Sequence, residues 1–93
     1  MRITMDARQF VNHLTEWSKD RSFGSVEEIL TGIEAEAKQH VSEGCIARFA
    51  SVSDSGKGHF FVVGDEGPFC YLRVFTQGKK KLTITKIQKS VKV

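Results

Sequence analysis

The chain's 93 residues, 40% apolar and 27% charged, have room for one hydrophobic core and none for a second lobe, so a single domain over 1–93 is expected. Two cysteines are too few for a disulfide scaffold, and no apolar run approaches the ~20 residues that span a bilayer. The opening Met1-Arg2-Ile3-Thr4 lacks the basic-then-apolar order of a secretory signal, and a cytoplasmic setting is expected. The net charge of +3 hides a division: through Gly44 there are 5 basic and 8 acidic residues, net −3, and from Cys45 onward 9 basic and 3 acidic, net +6.

The first element is a helix over about 6–20. Asp6 and Gln9 have the spacing of a capping box, and Phe10, Val11, Leu14 and Trp17 recur on one helical face. Ser25 and Glu28 repeat the capping pattern ahead of a second helix over about 26–43. Its stripe is Val26, Ile29, Leu30, Ile33, Ala37 and Val41, and Gly32 inside it costs ~1 kcal/mol relative to alanine.

After Gly44 the apolar period falls to two. Strands are predicted at about 45–52, 59–64, 69–76 and 81–93, separated by turns rich in Gly, Asp and Ser. Links this short cannot carry crossovers, so the fold class is α+β: two helices packed mainly on one face of a four-stranded antiparallel meander. The last strand changes the parity of its apolar positions between Ile84 and Ile87, which predicts a bulge near Thr85-Lys86.

The turns also predict registers. A turn at Asp65-Glu66-Gly67 sets Phe61 opposite Tyr71 and His59 opposite Arg73. A turn at Gln77-Gly78-Lys79 sets Phe75 opposite Lys81. One face then gathers Phe60, Val62, Cys70, Leu72 and Val74; the other gathers His59, Phe61, Tyr71, Arg73, Phe75 and Lys81. Four strands make a sheet roughly 15–20 Å wide, which two helices at ~8–10 Å spacing cover once. One face therefore lacks a cover, and the expected binding residues are Phe61, Tyr71, Arg73 and Phe75 with Lys79, Lys80 and Lys81 beside them. Rings and cations interleaved on a sheet suit bases and phosphates, while lysines at a terminal strand also protect an edge from aggregation.

These observations predict a small non-enzymatic binding or inhibitor module with a macromolecular partner, protein or nucleic acid. A homodimer through the same face meets the same physical need, and an accessory protein of a mobile element that blocks a host enzyme fits the size. The alternative is a metal-independent ribonuclease using His59 as acid or base and Arg73 on the phosphate, with Glu43 or Glu66 supplying a carboxylate. The order helix, helix, antiparallel sheet is similar in layout to barnase-like and toxin-type small ribonucleases, without a shared motif. No cofactor is expected. No metal is expected either, because His13, His40, His59, Cys45 and Cys70 form neither a Cys-x-x-Cys nor a His-x-x-x-His pair.

Overall fold

A computed structural model describes residues 5–41, 44–52, 58–64 and 69–90, with the side chain of Val52 left aside. Two helices, α1 (Ala7–Ser18) and α2 (Val26–His40), precede four strands, β1 (Ile46–Val52), β2 (Gly58–Gly64), β3 (Cys70–Gln77) and β4 (Thr83–Ser90). The strands form one antiparallel sheet in the order β1-β2-β3-β4, the meander expected from the short links.

Capping fixes where the helices begin. The Asp6 carboxylate accepts from the Gln9 amide at 2.8 Å, and the Gln9 side chain accepts from the Asp6 amide at 3.0 Å, satisfying donors that the first turn leaves open. Ser25 accepts from the Glu28 amide at 3.3 Å. α2 ends at His40 with Val41 as its cap, short of the predicted 43, and α1 ends two residues before the predicted 20.

Both helices lie on one face of the sheet, α1 against β4 and α2 against β1. Phe10 and Leu14 from α1 and Ile29, Ile33 and Ala37 from α2 are fully buried against Phe61, Val63, Leu72 and Val74. Trp17 sits at the rim, packed on Phe23 with ring centroids 5.6 Å apart. The link between the helices is stitched to the sheet. Phe23 and Leu82 exchange backbone hydrogen bonds of 2.8 and 2.7 Å, an antiparallel bridge just ahead of β4.

Register differs from expectation in both hairpins. Phe60, not His59, stands opposite Arg73, and Phe61 stands opposite Leu72. The one-residue slip turns every β2 side chain to the other face. Sequence alternation could not prevent it, because Phe60 and Val62 are as apolar as Phe61 and Val63. In the next hairpin Phe75 pairs with Lys86 rather than Lys81, since the turn runs from Gly78 to Leu82 and Gly78 takes a φ of +105°. Lys81 therefore lies in the turn, ahead of β4. The bulge is where parity placed it. The register shifts opposite Phe75 and Thr76, Thr85 is the extra residue, and its hydroxyl donates to the Phe75 carbonyl at 3.2 Å.

Candidate binding face

The side of the sheet away from the helices carries Phe60 and Val62 from β2 and Tyr71, Arg73 and Phe75 from β3, all half-buried, between inward neighbours that are buried. Ile46 and Arg48 extend it on β1, and Lys86 and Gln88 on β4; all four are exposed. Among the described residues neither helix reaches this side. Of the expected binding residues, Tyr71, Arg73 and Phe75 come together here. Phe61 does not: it is fully buried under the helices, and Phe60 occupies the place assigned to it.

Arg73 is the centre of the face. Its guanidinium carbon lies 4.7 Å from the Phe75 ring centroid and 5.2 Å from that of its cross-strand partner Phe60, within cation–π range of both. Its Nε is enclosed and makes no hydrogen bond, and among the described residues no acid pairs with it. The aromatic rings hold the charge in place without consuming the N–H donors of the guanidinium.

The charge of the sheet has one sign. The four strands contain Arg48, Arg73, Lys86 and Lys89 and no acidic residue. Lys79, Lys80 and Lys81 follow in the exposed β3–β4 turn. A groove of about 750 Å³ runs beside that turn at the end of the sheet, lined by Val26 and His59 from the helix side and by Phe75, Lys79, Leu82 and Thr85 among others.

His59 lies on the wrong side for the ribonuclease arrangement. It pairs with Val74 and points toward the helix layer, 9% exposed, whereas Arg73 points away from it. The two side chains therefore lie on opposite faces of the sheet. His59 Nε2 lies 3.2 Å from Thr76 Oγ1, Nδ1 makes no hydrogen bond, and burial pushes the imidazole below its ordinary pKa. Glu43 and Glu66, the carboxylates considered for that site, lie outside the described residues.

The cysteines are both buried thiols. Desolvation pushes Cys70 up to about 12, with Lys89 pulling weakly the other way, so the thiolate needed for reactivity is suppressed. Metal-ligating side chains do converge at one place among the described residues, His13 with Glu36 and His40 on the helix layer. A search for Cys or His pairs misses this group, because its helical pair is Glu36-x-x-x-His40 and its third member comes from the other helix.

Comparison with protein-family models, with curated proteins and with solved structures returned no match.

Proposed function

We propose that this protein is a non-enzymatic binding or inhibitor module that engages an acidic macromolecule through the open face of its sheet. The observation that carries the reading is Arg73, held against the rings of Phe60 and Phe75 on a face that no described helix covers, with no acidic residue paired to it among the described residues. Buried arginines and aromatics concentrate binding energy at interfaces. Here they are organised before any partner arrives, which lowers the ordering cost of association. The all-cationic strands select against a basic partner and favour phosphates or a carboxylate-rich surface.

Face-to-face pairing of two copies would set Arg48, Arg73 and Lys86 against their own counterparts. A different, acidic molecule suits the face better than its own image. An accessory protein that blocks a host enzyme would act through this same surface.

The test measures binding of single-stranded RNA and DNA oligonucleotides by fluorescence anisotropy over a salt series, beside capture from cell extract with and without nuclease. Oligonucleotide binding that weakens steeply with salt and is lost in Arg73→Ala identifies a nucleic-acid partner. Nuclease-resistant capture lost in the same variant identifies an acidic protein. Binding by neither route, or binding indifferent to Arg73, refutes the reading.

A further inference from the structure

On the opposite side of the molecule from the open face, the two helices bring three metal-ligating side chains together. His13 on α1 places Nε2 2.6 Å from Glu36 Oε1 on α2, and His40 Nε2, one turn further along α2, lies 3.8 Å from the same oxygen. The two imidazole rings are 4.2 Å apart, centroid to centroid. All three ligand atoms fall within 4.8 Å of one another, and each residue is half-buried.

We propose that His13, Glu36 and His40 form a binding site for a divalent transition ion of the zinc class, bridging α1 and α2. Two imidazole nitrogens and one carboxylate oxygen are the donor set such ions take, whereas calcium and magnesium ask for more oxygens than this place offers. The spacing fits. Ligand atoms ~2.1 Å from a tetrahedral ion stand about 3.4 Å apart, and the observed 2.6 and 3.8 Å lie on either side of that value. Small rotamer adjustments carry one to the other, because all three side chains reach the site from helical backbone that already holds them together.

An ion also resolves a competition. A single Glu36 oxygen serves two adjacent imidazoles. A metal supplies a positive charge that all three groups ligate at once. Three protein ligands leave a fourth position to water or to a donor from another molecule. The bound ion ties the helices at the end of the layer away from the Phe23–Leu82 bridge. The site lies on the helices and does not depend on the sheet face or its partner.

The experiment titrates EDTA-stripped protein with Zn²⁺ by calorimetry at neutral pH, with Co²⁺ absorption as a report of ligand geometry. It compares His13→Gln, Glu36→Gln, His40→Gln and, as a control, His59→Gln. One ion per chain is expected, with an unfolding midpoint raised by Zn²⁺ and a Co²⁺ spectrum of low coordination number. Each of the three ligand variants should weaken binding beyond the ~10–100-fold that loss of a mere supporting contact costs, while His59→Gln binds as the unaltered protein does. Far-UV circular dichroism identifies any ligand variant that fails to fold, and the comparison then rests on His40→Gln, whose contact with Glu36 is the longer one. Absence of stoichiometric binding, or binding that survives in the folded ligand variants, overturns the proposal.

Discussion

Trp17 lies so close to Gly32 that a Cβ built on that glycine would meet the indole ring at 2.8 Å. The glycine in the middle of α2 is thus the seat of a ring from α1. Two effects oppose each other on Gly32→Ala: helix propensity gains ~1 kcal/mol, and overpacking costs ~1–3 kcal/mol. Trp17 is hemmed in by Phe23 and by Arg21, whose guanidinium carbon lies 5.1 Å from the indole centroid, so the steric cost is expected to win. A lower unfolding midpoint with altered Trp17 fluorescence is the predicted result; a higher midpoint with unchanged emission would show that the ring yields freely.

The two faces of β2 make opposite predictions for adjacent residues. Phe61→Glu buries a charge among Leu14-type neighbours with no partner and should unfold the protein. Phe60→Glu and Phe75→Glu place the carboxylate beside Arg73 on the open face. They should keep a native far-UV spectrum while abolishing capture of an acidic partner. Unfolding by Phe75→Glu would mean that this face is core.

Truncations on the helices test the packing directly. Leu14 and Ile33 are both fully buried, and Leu14→Ala or Ile33→Ala should each cost ~2–5 kcal/mol in chemical denaturation. Midpoints that do not move would contradict the placement of both helices on this side of the sheet.

His59 confers a pH dependence whose sign follows from its burial. Desolvation lowers its pKa from 6.5, so at mildly acidic pH the unfolded chain takes up a proton that the folded chain refuses. Its contribution to stability is complete above the unfolded value and falls as pH drops below it toward the folded value. Subtracting the stability profile of His59→Gln from that of the unaltered protein should leave a loss on the acid side of 6.5. A flat difference would show that the imidazole titrates normally.

Thiol chemistry reports on the same core. Cys70, pushed up to about 12, and Cys45, equally enclosed, should resist a disulfide reagent at neutral pH in the folded protein and react together on unfolding. Rapid labelling of one thiol under native conditions would reveal local opening at the start of β1 or β3.

The sequence displays what repeats and hides what depends on a single residue of offset. Apolar stripes from Phe10 to Leu14 and from Ile29 to Ala37, caps at Asp6 and Ser25, and the parity change around Thr85 are local signals, and the helices, the meander and the bulge follow from them. Register is different. Phe60 and Phe61 present equal hydrophobicity to the two faces, so the β2–β3 pairing is decided by which ring the helices bury, and no feature of β2 itself announces that. The same slip moved Phe61 into the expected site, left Phe60 out, and set His59 beside Arg73 when the sheet in fact divides them. His13 was invisible as a partner of Glu36 because 23 positions separate them, and only the packing of α1 on α2 brings them together.

The bridge between Phe23 and Leu82 also has a kinetic side. Each hairpin of the meander closes over a handful of residues, but this pair of hydrogen bonds closes most of the chain into one loop, an entropic cost met only when the strands already exist. The helical segment ahead of Gly44 and the sheet behind it should therefore fold as one cooperative unit. Synthesised as separate peptides, neither half has the other's surface to bury against; mixed together, they should recover native structure only by docking on one another.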